Sequence, residues 1–178
     1  MKNLLNILKK EIFPISLIVI LAFARLIPHP PNFTPIIAVA IVSGYFFKNI
    51  NLSLLTLLAA MLMSDLFIGL YENMIFVYAS LLLITFAFHK ISKKINFKNL
   101  FIYGFAGSLI FFIVSNFGVW ALGGLGVNDL AYEKSLEGLI ECYILAIPFF
   151  GNTFLSTIIF AYPAIFFYKS LAARASSR

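Results

Sequence analysis

The 178-residue chain has one cysteine, two histidines, one tryptophan and few charges, with Asp, Glu, Lys and Arg making up 11% of its residues. Each shortage removes a class of protein. Cys142 alone excludes an internal disulfide and any zinc or iron–sulfur centre built on several thiolates. Soluble domains are about one quarter charged, so a chain that is 11% charged and 62% hydrophobic is not one of them. No Gly-rich phosphate loop stands beside a lysine, no His pair has metal-ligand spacing, and Ser115-Asn116 lacks a nucleophile-elbow setting. No cofactor and no metal is therefore expected, and no enzyme class is indicated. The net charge of +6 is spread between apolar runs, which points to anionic lipid headgroups as partners and away from nucleic acid.

What the chain has is hydrophobic length. Six segments approach the roughly 20 apolar residues needed to cross a bilayer: about 12–27, 34–47, 52–70, 74–88, 99–122 and 149–168. The expected fold is all-α, a polytopic membrane protein of six transmembrane helices forming one integral membrane domain over 1–178. A further apolar stretch, 138–147, precedes the sixth span, and unbroken helix from Gly138 to Tyr168 would run to about 46 Å. Pro148 is expected to divide a re-entrant or interfacial piece from the true span.

Charge placement supports this layout, because short cytoplasmic loops collect Lys and Arg. Of the 13 basic residues, all but Arg25 and Lys134 fall on one side: Lys2, Lys9, Lys10, Lys48, Lys90, Lys93, Lys94, Lys98, Lys169, Arg174 and Arg178. Asp65, Glu72, Asp129, Glu133, Glu137 and Glu141 fall in the outer half or outside, leaving only Glu11 inside. A multi-pass protein of the cytoplasmic membrane with both termini cytoplasmic is the expectation. Lys9, Lys10, an apolar run and Ala22-Phe-Ala24 imitate a cleavable signal peptide. The run continues past those small residues, however, and Arg25-Leu-Ile-Pro28 makes a poor mature N-terminus.

Between spans 1 and 2, residues 25–35 read RLIPHPPNFTP and contain four of the chain's seven prolines. Proline lacks a backbone donor and biases its predecessor away from helix, so Pro28, Pro30, Pro31 and Pro35 dictate a stiff, extended loop. With Arg25, His29 and Asn32 it is a candidate lid over a binding site. Intramembrane polar residues gather at the same outer level: Asp65 about 7 to 8 Å below the outer end of span 3, Asn116 near the end of span 5, and Asn152 and Thr153 opening span 6. Ionisable groups within spans are costly and mark functional sites by default, which puts Asp65 first. An Asp65–Arg25 ion pair that only pins span 3 to span 1 is the plain alternative, and for Asn116 an interhelical hydrogen bond. Trp120, Tyr132 and Tyr143 lie where an interfacial aromatic belt would put them, with stacking on a planar ligand as the other reading. Lone His29 lacks co-ligands for a metal, and Cys142 reads as a small buried hydrophobe. The inner halves carry Ser53, Thr56, Ser108 and Thr157 but no charge, which favours binding from outside over self-powered translocation.

Four motifs, RLIPHPPNFTP, SDLFIG at 64–69, SNFGVW at 115–120 and GLIECYILAIPFFGNT at 138–153, together resemble an uncharacterised family of small bacterial six-span proteins assigned by inference to transport. The ordered first outer loop is also distantly similar to the S components of energy-coupling-factor vitamin transporters. That resemblance implies a lid role for residues 25–35, a ligand among Asp65, Asn116 and Trp120, and an energising membrane partner. S components commonly carry Ala-x-x-x-Ala in span 1, whereas here span 1 has Ala22 and Ala24.

The expected function is uptake of a small, vitamin-like solute through an outer-half site made of Arg25, His29, Asn32, Asp65, Asn116, Trp120 and Asn152. The alternatives are a non-catalytic structural or assembly subunit of a membrane complex and, third, an intramembrane enzyme using Asp65 and His29.

Overall fold

The computed structural model describes residues 2–91, 95–126 and 129–176, of which 2–10 and 171–176 as backbone alone. Lys93, Lys94 and Arg178, counted above toward the inner side, lie outside the described residues. The fold is all-α. Helix α1 (Lys2–Phe23) passes through a 3-10 turn (Ala24–Leu26) into the proline-rich loop, followed by α2 (Ile36–Phe46), α3 (Ile50–Ile68), α4 (Met74–Ile91), α5 (Leu100–Ala121) and α6 (Leu136–Ser176).

Helix α2 is the axis of the bundle. It is apolar all round, a pattern that only a fully surrounded helix can satisfy. Every residue from Ile36 to Gly44 is buried, and α2 packs against all five other helices. Thr85 Oγ1 of α4 donates to the Ala40 carbonyl oxygen at 3.0 Å. Gly44 lets the α4 backbone lie directly against α2, since a Cβ there would run into the Thr85 carbonyl oxygen.

At 11 residues α2 spans only about 16 Å, roughly half the hydrocarbon thickness of a bilayer. The loop 27–35 is not extended throughout, as its prolines led one to expect: a turn closed by the Phe33 N–H on the Pro30 carbonyl oxygen at 3.0 Å redirects it to Pro35 and Ile36, which are buried where α2 begins. A recess is left above the first turn of α2, walled by the longer helices and roofed by the loop.

Helices α3, α4, α5 and α6 are long and apolar enough to cross a membrane by length and composition. Their outward faces are apolar too. Leu66 and Ile75 are about three-quarters exposed, and Leu55, Phe67, Ile102 and Phe166 are likewise uncovered, as expected of a surface facing lipid acyl chains. These features are those of a multi-pass membrane protein.

One expectation fails. Pro148 does not divide the last apolar region, because α6 runs unbroken from Leu136 to Ser176 with Pro148 and Pro163 inside it, about 61 Å of helix. Proline removes a single backbone bond, and rings from α5 clamp the helix on both sides of the gap. Phe112 meets Tyr143 before Pro148 and Phe150 after it, at centroid distances of 5.6 and 5.5 Å. Tyr143 also donates its hydroxyl to the Ile113 carbonyl oxygen at 2.7 Å.

Candidate functional site

The two ionisable groups that the sequence singled out meet at the top of α3. Asp65 is wholly buried and the Arg25 side chain is 8% exposed, with Nη1 2.7 Å from Oδ1. Nη1 also donates to Ser64 Oγ at 2.7 Å, and the Ser64 hydroxyl donates in turn to the Met61 carbonyl oxygen at 2.9 Å. Tyr78 of α4 donates to Asp65 Oδ2 at 2.6 Å. The 3-10 turn, α3 and α4 are thus tied by one neutralised pair. The next residues explain the local backbone: Gly69 adopts φ 102° to end α3 and returns its N–H to the Asp65 carbonyl oxygen at 2.8 Å.

Arg25 also borders a cavity. Two adjoining lobes lie beneath the proline-rich loop and share Asn32, Val77, Phe111 and Thr153. The first, about 160 Å³, is lined by Arg25, Thr34 and Tyr71 above the first turn of α2 at Ile36 and Ile37. The second, about 170 Å³, lies between α4, α5 and α6 and adds Asn73, Phe112, Ser115, Asn116, Val119, Ala146 and Phe150. Burial pushes the Tyr71 phenol above its ordinary range, and Asp65 adds to the rise, so the mouth of the first lobe stays uncharged there.

The loop is fastened over this space. Asn32, at φ 59°, takes the left-handed conformation that asparagine tolerates better than most residues, and turns the chain downward. Asn152 Nδ2 of α6 donates to the Pro31 carbonyl oxygen at 3.0 Å, and the Phe33 ring meets Phe160 edge-on at 6.3 Å.

Of the residues expected at the site, Arg25, Asn32 and Asn116 line the cavity, Asp65 stands behind Arg25, and Asn152 latches the roof. His29 and Trp120 lie apart. His29 is exposed, with Nδ1 2.9 Å from the Pro30 carbonyl oxygen. Trp120 Nε1 donates to the Glu133 carbonyl oxygen at 2.8 Å, while Lys134 bonds the Trp120 carbonyl oxygen and lies over its ring at 5.3 Å. Trp120 thereby fixes the connection between α5 and α6, outside both lobes.

Several lining residues were not singled out from sequence as site residues: Thr34, Tyr71, Asn73, Ser115, Thr153 and the three phenylalanines. Asn73 carries the second lobe's wall by donating Nδ2 to the Ser115 carbonyl oxygen at 3.0 Å. Among these, the hydroxyls Ser115 and Thr153 carried the one usable signal, being polar at the same level as Asn116 and Asn152.

The chain belongs to a family of unknown function, DUF6580, whose model matches residues 6–177. No curated protein and no solved structure is similar enough to match.

Proposed function

We propose that this protein is a six-span solute-binding protein of the cytoplasmic membrane, with both termini inside, that takes up a small, vitamin-like solute from the outer face. The observation that carries the reading is the roofed cavity. Amide and hydroxyl groups from the loop, the connection between α3 and α4, α5 and α6 converge on a space above a central helix too short to fill it. Concave, mostly apolar sites with a few convergent polar groups are how proteins hold small molecules. In this reading α1 is the first crossing, loop and α2 together make the second, and the four longer helices complete six. Arg25 touches the solute, Asp65 sets the orientation of Arg25, and Asn116 adds a hydrogen bond. Binding proceeds without catalysis, and a membrane partner supplies the energy for inward release.

A second reading has its own support. The Arg25–Asp65–Tyr78 cluster satisfies most of its own needs within the fold, as a purely structural clamp in an assembly subunit would. A thermal-shift screen of the purified full chain against small metabolites separates the two. A ligand that binds only the folded state raises apparent stability, by about 2.7 kcal/mol at a hundredfold excess over Kd. A saturable shift that Asn116→Ala weakens supports solute binding, and silence across a broad library favours the structural clamp.

A further inference from the structure

Resting on the solute-binding reading, the cavity's hydrogen-bonding polarity narrows the class of solute. In the second lobe the hydroxyl protons are already spent. Ser115 Oγ donates to the Phe111 carbonyl oxygen at 2.7 Å and Thr153 Oγ1 to the Phe149 carbonyl oxygen at 3.1 Å, each one turn back in its own helix. Asn116 Nδ2 gives one of its two N–H groups to the Phe112 carbonyl oxygen at 2.8 Å, so its amide keeps both a donor and an acceptor. A hydroxyl has one proton and two lone pairs, so Ser115 and Thr153 face the cavity as acceptors.

The first lobe has the opposite character. Helix α2 starts at its floor, and its cap position is Pro35, which brings no side-chain acceptor. The first N–H groups of a helix lack intrahelical partners and carry the positive end of its dipole. Arg25 borders the same lobe, and a guanidinium has five N–H donors, of which those on Nη1 face Ser64 and Asp65 while Tyr71 is a further partner of the group. That end offers donors.

Formal charge, by contrast, is cancelled. Arg25 is the only charged residue lining either lobe among the described residues, and it is neutralised by the buried Asp65 carboxylate at 2.7 Å. An anion or a cation would enter this low-dielectric space without a counter-charge of its own. At about 30 Å³ per water-sized unit, the two lobes together hold on the order of ten non-hydrogen atoms. Phe111, Phe112 and Phe150 supply apolar walls against which a flat ring can lie.

We infer that the cavity takes an uncharged, planar solute of this size with a carbonyl-type acceptor at its Arg25 end and N–H or O–H donors at its Ser115–Thr153 end. Two matched probe sets test this in the purified full chain by thermal shift and equilibrium binding: nicotinamide with nicotinate and N,N-dimethylnicotinamide, and uracil with orotate and 1,3-dimethyluracil. The parent of at least one set is expected to bind at least tenfold more tightly than both of its derivatives. The double variant Ser115→Ala/Thr153→Val is expected to reduce that preference over the methylated form to less than threefold. Tighter binding of nicotinate or orotate than of its parent overturns the inference, as does equal binding of the methylated forms, and either result leaves the solute-binding reading standing. Failure of all six probes overturns the inference as well, while the broader metabolite screen decides the reading beneath it.

Discussion

Replacing Arg25 by alanine is expected to cost about 3–5 kcal/mol of stability, because Asp65 would be left wholly buried with its charge uncompensated. The loss should appear as a lower thermal midpoint in detergent and a reduced yield of folded protein. The double variant Arg25→Met/Asp65→Leu removes both charges together, and buried ion pairs replaced by apolar residues of similar size are often neutral or stabilising. It is expected to recover most of the stability while failing to bind solute. That split decides between the two roles of the cluster. Recovery of folding together with intact binding would mean that Arg25 only pins the 3-10 turn to α3. Loss of binding in a well-folded double variant means that Arg25 reaches the solute.

Two glycines are expected to respond to alanine with opposite signs. At Gly118 a Cβ would run into Asn73 Oδ1 and the Cβ and Cγ of Phe76, so α4 would have to withdraw from α5. Overpacking of this kind costs about 1–3 kcal/mol, and it would also break the Asn73–Ser115 bond that shapes the second lobe. Gly118→Ala should therefore lower both the thermal midpoint and solute affinity. At Gly151, within α6, a Cβ meets nothing within 4 Å, and glycine in a helix interior costs up to about 1 kcal/mol relative to alanine. Gly151→Ala is expected to raise the midpoint slightly. Equal effects at the two positions would contradict the close α4–α5 packing.

The parts of the site that could be read in advance were those where rarity is informative. In a chain this apolar an aspartate and an arginine stand out, and the ion pair between Arg25 and Asp65 is observed. That residues 25–35 break the helix was legible for a similar reason, since four prolines leave the backbone few alternatives, but the turn at 30–33 with Asn32 at φ 59° was not part of the extended loop expected. Tyr78 and Asn73 gave no such signal. A tyrosine and an asparagine near the start of an apolar helix look like interfacial residues, and their partners lie 13 and 42 positions away. Trp120 gave no signal of its partner either, since its indole is engaged by the Glu133 carbonyl oxygen 13 positions further on. Pro148, by contrast, misled. The local backbone rule is sound, but what keeps α6 continuous is aromatic packing from α5, which no window around the proline contains. The recess itself was hidden in a length. Residues 34–47 read as a span somewhat short of a bilayer, and only with α2 at the centre of five helices does that shortness become a recess.

The most direct measurement of an outward-facing solute site under the loop is the accessibility of position 116. With Cys142→Ser as background, Asn116→Cys, His29→Cys and Lys93→Cys would be treated with a membrane-impermeant maleimide in oriented vesicles, with and without a solute found by thermal shift. The account predicts that positions 116 and 29 label from the outer side and position 93 from the inner side. It also predicts that saturating solute slows labelling at 116 while leaving 29 unchanged. Labelling of position 116 from the cytoplasmic side, or an undiminished rate there with the solute bound, would contradict it.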